Sequence, residues 1–334
     1  MRSNAVRVFA LLFFLSGATG LVYELLWVRV LYQTFGSTIQ SVTTVVAAYM
    51  GGLGLGAWLF GRRADRHPQP AALYGWLELA IGAFGVVSPS VLALAHRLYL
   101  GAAGALQLGG APSIALRFSL AALVLLVPTT LMGGTLPVLA RAFTGTNRAE
   151  LRRSVGLLYG LNTLGAVLGT ALAGLVLIEH VGIRASLFGT AALNLALGAG
   201  ALALARPLAL QPDGADGPAG PPGVALPAAS IPLRSVGFAL LGLTAFASLL
   251  DEIAWTRVLV MIVGGSTYGF TLVLLVFLLG IGLGSGIVAR WRVPPGQTTS
   301  HAAVAQGVTA AGAALLFVIF AALPRYIVAV FQTP

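Results

Sequence analysis

Cysteine and lysine are both absent from this 334-residue chain, and charge of either sign is scarce. Without cysteine there are no disulfides and no thiolate metal sites. The four histidines, His67, His96, His180 and His301, are far apart in sequence, so no local metal-ligand spacing exists. Charged residues make up 8% of the chain, where a soluble globular domain carries roughly 25%. That shortage excludes an ordinary water-facing surface.

What is abundant is apolar: 58% of residues are hydrophobic, and the mean hydropathy is +0.94. In lipid, backbone polar groups must be satisfied internally, which leaves helices or a closed barrel. The apolar runs are about 20 residues long and do not alternate, which points to helices. The expected fold class is an all-α polytopic membrane protein with about nine transmembrane helices. The net charge of +10 would suggest nucleic acid in a soluble protein. Here every cation is an arginine, and most fall in alternate loops. Placing the N-terminus in the cytoplasm puts 13 of 19 arginines on that side, the positive-inside pattern. The expectation is therefore a multi-pass protein of a bacterial inner membrane, with the lipid bilayer as its partner and no nucleic acid.

Taken in order, the apolar runs predict helices at about 8–31, 40–60, 72–96, 114–139, 154–178 and 185–205. Arg2, Arg7 and Ala18-Thr19-Gly20 imitate a signal peptide, but an equivalent stretch near 238–258 is internal. The fourth helix holds Pro128 and the run Met132-Gly-Gly-Thr-Leu-Pro137, so a kink or break is expected there. Residues 206–234 carry seven prolines and four glycines and read as a flexible linker. Three further helices follow at about 235–259, 267–289 and 301–323. The expected domains are a six-helix unit over 1–205, the linker, and a partial second unit over 235–334.

An internal repeat organises this layout. A shift of 228 positions without a gap places Glu24 on Glu252, Trp27 on Trp255, Arg29 on Arg257, and Gly52, Gly54 and Gly56 on Gly280, Gly282 and Gly284. Over residues 24–56, 12 of 33 positions are identical. Because these include a carboxylate, a tryptophan and an arginine, the match is a repeat rather than shared apolar composition. Arg97 also falls on Arg325. The copies are six helices apart and so share orientation, as in the two halves of major facilitator transporters.

Several separated motifs carry a family likeness: Ser16-Gly17, Tyr23-Glu24-Leu-Leu-Trp27-Val-Arg29, Gly52-Leu-Gly-Leu-Gly56, Met132 to Pro137, and Leu158-Tyr-Gly-Leu-Asn162-Thr-Leu-Gly165. Together they resemble the membrane part of bacterial spermidine-synthase-like proteins. Some of those are fusions of a major-facilitator-like domain with a spermidine synthase. The loop from Gly61 to Arg66 also resembles the Gly-x-x-x-Asp-Arg loop of major facilitators. The resemblance implies aminopropyl transfer from decarboxylated S-adenosylmethionine to putrescine, performed by a soluble Rossmann-like domain. No strand, Gly-rich turn and helix with a following acidic residue occurs here. The second repeat also stops before a counterpart of Met132 to Pro137. The expectation is a truncated, partial or split membrane subunit that is not catalytic by itself, uses no cofactor and serves a soluble synthase domain or subunit.

Intramembrane charge costs about 2.5–3.5 kcal/mol per group at the bilayer centre on insertion scales, so each instance needs a reason. Glu24 and Arg29 are five residues apart, about 500° of helical rotation, and diverge on one helix. Besides the plain alternative that both are protonated, two readings stay open for Glu24 and Glu252. In one they lock helices together while Arg29 and Arg257 reach the interface. In the other they line a cavity for a proton or a small cation such as a polyamine, with Trp27 and Trp255 offering aromatic faces. Glu78 and Asp251 are further binding candidates, although Glu78 falls on Gln306 in the second copy. Asp65 and Arg66 suggest a charge clamp at helix ends. Gly52, Gly56, Gly280 and Gly284 have the small-residue spacing that lets helices approach closely. Three roles follow: a polyamine-handling module of a spermidine-synthase-like protein, a secondary transporter in its own right, or an anchor.

Overall fold

The computed structural model describes residues 2–36, 39–106, 109–143, 148–209, 231–263, 267–290 and 298–332. Every described element is helical: α1 (Arg2–Phe35), α2 (Ile39–Ala64), α3 (Pro70–Leu106), α4 (Gly110–Phe143), α5 (Arg148–Leu172), α6 (Ile183–Ala209), α7 (Ile231–Val263), α8 (Thr267–Arg290) and α9 (Thr298–Gln332). A π-helical segment, Ala173–Val181, continues α5. Among the described residues nine spans are long and apolar enough to cross a membrane, and the chain is a multi-pass membrane protein. Residues 210–230, the heart of the expected linker, lie outside the described residues.

The helices run beyond their apolar runs. The small-residue stretch after residue 100 is helical as far as Leu106, because its Ala and Leu residues favour a helix despite Gly101 and Gly104. Gly110 then starts α4 with a φ of 57°, a conformation that needs glycine. α4 passes through Pro128 and Pro137 without a break. Each proline removes one backbone donor. Threonine hydroxyls take up neighbouring carbonyls: Thr129 donates to the Leu125 oxygen at 2.6 Å and Thr135 to that of Met132 at 2.7 Å.

The main helix pairs are α2 with α4, α3 with α6, α1 with α5, and α5 with α8. Glycine sets several of these approaches. A methyl at Gly52 would overlap the Thr129 side chain, and one at Gly56 the Thr130 carbonyl. Gly165 and Gly169 of α5 lie equally close to the α1 carbonyls of Phe14 and Ala18. Gly156 and Gly160, on another face of α5, meet Ala289 and Ser285 of α8. Lipid supplies little hydrophobic drive between helices, so this close backbone packing carries the association.

Two apolar clusters fill the bundle. One surrounds Phe9, Phe13, Tyr74, Leu77 and Leu139; the other surrounds Tyr23, Trp27, Leu31, Ile81, Leu125 and Leu187. Along α1 and α3, Ser16 and Glu78 fall between these clusters. At one end of the bundle the Phe9 ring meets Phe143 at 5.0 Å, and the Asp65 carboxylate is 3.7 Å from Arg141 Nε. The end of α1, the second half of α3 and the start of α6 meet at the other.

Candidate functional site

Glu78 is wholly buried, and three helices hold it. Ser16 Oγ of α1 donates to Oε1 at 2.5 Å, and Asn194 Nδ2 of α6 donates to Oε2 at 2.5 Å. The Tyr74 hydroxyl faces the same carboxyl without completing a hydrogen bond. No ion pair reaches Glu78 among the described residues. Tyr23, stacked on Trp27 at 4.8 Å, lies within electrostatic reach of Glu78. Gly85 has no side chain to block the Tyr23 hydroxyl. The cluster therefore joins α1, α3 and α6 by neutral donors around one acid. Such bonds cost little once formed but leave unsatisfied atoms if broken.

Glu24 is different. It is only partly buried, and the Tyr49 hydroxyl of α2 is directed at its carboxyl. The Gly20 carbonyl at 3.5 Å and the Met132 sulfur at 3.7 Å are the other neighbours of that hydroxyl. Glu252 of α7, also partly buried, lies within electrostatic reach of Glu24. The two carboxylates, 228 positions apart in the sequence, thus lie within range of each other's charge. Two like charges in an apolar setting cannot both remain uncompensated. A proton or a cation between them relieves that cost.

The remaining sequence candidates fall in distinct settings. Trp27 is fully buried, with Tyr23 on its face and Phe84 edge-on at 5.7 Å. Trp255 is partly exposed and meets Phe320 of α9 at 5.1 Å. Asp251 is partly buried beside Glu252. Arg29 is partly buried in α1 and is not free of partners; the side chain of Arg257 lies outside the described residues. Asp65 pairs with Arg141, while Arg66 is exposed and its backbone N–H bonds the Arg63 carbonyl at 3.2 Å. Gly280 and Gly284 have nothing near the position a side chain would take, and Gly282 between them faces Leu164 and Thr163. Among the described residues no group of three His, Asp or Glu could hold a metal ion.

Comparison with known proteins gives a partial answer. The chain is 29% identical over 182 residues to polyamine aminopropyltransferases 2 and 1 of Ralstonia nicotianae. The matched stretch is 54% of this chain but only 32% and 31% of those two proteins, so the likeness spans about a third of their length. No protein-family model and no solved structure matches. The finding is a distant similarity to polyamine aminopropyltransferases in a chain of apolar helices.

Tyr49, Ser16 and Asn194 were not read as site residues from the sequence. Asn194 carried a signal: an amide alone in an apolar helix, the same oddity that singles out Glu78. Tyr49 carried none, since tyrosine is common in membrane helices and only folding turns it to Glu24. Thr163 donates to the Tyr159 carbonyl at 2.8 Å within α5. Glu179 and Tyr268 also form a side-chain hydrogen bond, from the π-helical segment to the start of α8.

Proposed function

We propose that the chain is the membrane module of a spermidine-synthase-like protein, and that it handles or localises polyamines or a related cationic metabolite. Catalysis of aminopropyl transfer belongs, on this reading, to a soluble synthase domain or subunit. The observation that carries it is that Glu24 and Glu252 lie within electrostatic reach of one another, with the Tyr49 hydroxyl directed at Glu24. A pair of carboxylates suits a ligand with separated ammonium groups, and polyamines have that chemistry. The distant likeness to polyamine aminopropyltransferases supports the same substrate class. The module sits in a bacterial inner membrane with its N-terminus in the cytoplasm, as the arginine distribution favours.

A second reading is secondary transport by a major-facilitator-like protein. It is favoured by the matched hairpins, each of which contributes one carboxylate to the same region. Here 1–205 is a complete six-helix repeat and 235–334 part of another, joined by 206–234. Both readings need a cation at Glu24 and Glu252. Binding of labelled spermidine to the full chain in nanodiscs tests this. Glu24→Gln and Glu252→Gln should each weaken binding by about tenfold, as loss of one charge-assisted contact implies, while insertion and monodispersity persist. Equal binding by wild type and both variants would remove the cation reading and leave an anchor. Uptake into proteoliposomes then separates transport from localisation.

A further inference from the structure

The acidic groups lie within the bundle, whereas one end of it gathers the opposite charge. A cavity of about 500 Å³ opens where α1, α3 and α6 meet at that end. This falls within the range of roughly 300–1,000 Å³ common to small-molecule sites. Its polar lining is Gln33 and Thr34 of α1, Ser90, His96 and Arg97 of α3, and Arg184 of α6. No acidic residue lines it. Among the described residues neither Arg97 nor Arg184 makes an ion pair or side-chain hydrogen bond. Two arginines from different helices therefore face one space with their donors unused.

The wall between them is built. Thr34 donates its hydroxyl proton to the Val30 carbonyl at 3.1 Å. Its oxygen also lies 3.1 Å from His96 Nδ1, a contact that ties the ring to α1. The depth is also defined. The lining lies close to where the apolar spans end, at Phe35 and Ala102, and begin, at Ile183, which favours a position near one face of the membrane. Leu94 and Phe188, close in sequence to the two arginines, expose apolar side chains of the kind an acyl chain covers.

We propose that this cavity binds a phosphate-bearing anion, with Arg97 and Arg184 holding its oxygens from two sides. Guanidinium suits this task because its planar donors match phosphate oxygens in pairs. The phosphate belongs to a lipid headgroup or to a soluble phosphate ester, and the two sources can be separated. The full chain is purified in detergent and offered phosphatidylglycerol or glycerol phosphate, and bound molecules are counted by native mass spectrometry. Wild type should retain at least one of the two. Arg97→Gln with Arg184→Gln should reduce retention by about tenfold or more, whereas Arg62→Gln, at the far end of the bundle, should not. Displacement of lipid by glycerol phosphate assigns the site to a soluble ester; retention of lipid in its presence assigns it to a headgroup. If the double variant binds both probes as wild type does, the proposal falls. Should that variant fail to fold, Ser90→Trp blocks the exposed rim from α3, and unchanged retention there overturns the proposal equally. Arginines that merely reach the interface would leave both counts unaltered.

Discussion

The hairpin α1–α2 and the hairpin α7–α8 share a sequence pattern but not a setting. Trp27 is enclosed by Tyr23 and Phe84, while Trp255 is partly exposed against Phe320. Gly52 and Gly56 touch α4, while Gly280 and Gly284 face open space. Tyr49, which is directed at Glu24, falls on Phe277 in the second copy and so has no hydroxyl there. The reason lies in the neighbours. α2 lies along α4, whereas α8 lies along α5. None of the residues of α7 from 239 to 256 is fully buried, while one-third of the most apolar stretch of α1 is. A repeated motif specifies a helix and a pattern of small residues, but the environment of each residue depends on which helix covers it.

The largest expected break in this comparison is at the tryptophans. Trp27→Ala should cost about 3–5 kcal/mol, as removal of a buried aromatic does. Trp255→Ala should stay within about 1 kcal/mol, because the side chain is partly exposed. Denaturant unfolding in micelles measures both, and similar costs would mean that the two hairpins share a setting after all. Next come the glycines. Gly56→Leu forces a side chain into the Thr130 backbone and should cost about 1–3 kcal/mol or more, seen as aggregation or a lowered melting temperature. Gly284→Leu should change stability by less than about 0.5 kcal/mol.

Glu78 sharpens the contrast chemically. Glu78→Ala strands Ser16 and Asn194 and should destabilise by about 2 kcal/mol. Glu78→Gln keeps one acceptor oxygen, for Asn194, and turns the other into an NH2 that the rotatable Ser16 hydroxyl can accept, so it should cost less. Since the matched position in the second copy is already Gln306, a near-neutral Glu78→Gln would mark the carboxyl as a hydrogen-bonding unit. Loss of spermidine binding in a stable Glu78→Gln protein would instead draw Glu78 into the site. The smallest effect belongs to Asp65→Asn. With side chains 53% and 72% exposed across the Arg141–Asp65 pair, its loss should cost no more than about 0.5 kcal/mol, and only an unfolding series with replicate precision would see it.

Much of the helical layout was legible because apolar runs of membrane length have few alternatives in lipid. Helix ends were less so. α1 starts at Arg2 and α9 continues to Gln332, since a helix need not stop where hydrophobicity does. The π-helical segment left no readable mark, although Gly182, with a φ of 83°, ends it where glycine tolerates that backbone. Of the site, Glu24, Glu252 and Glu78 stood out because charge in lipid is costly. Their partners did not, because Asn194 is 116 residues from Glu78 and separation along the chain conceals contact.

The sequence by itself determined that this is a helical membrane protein, where its spans fall, and which few side chains carry charge inside them. Those follow from the cost of placing backbone polarity and charge in hydrocarbon, which is a local property of composition. Only the tertiary structure decided that Glu78 is enclosed by Ser16 and Asn194, that Glu24 comes near Tyr49 and Glu252, and that Arg97 and Arg184 share one cavity. Those depend on which helices lie together, and close glycine contacts hold α1 on α5, α2 on α4 and, at Gly75, Gly82 and Gly198, α3 on α6.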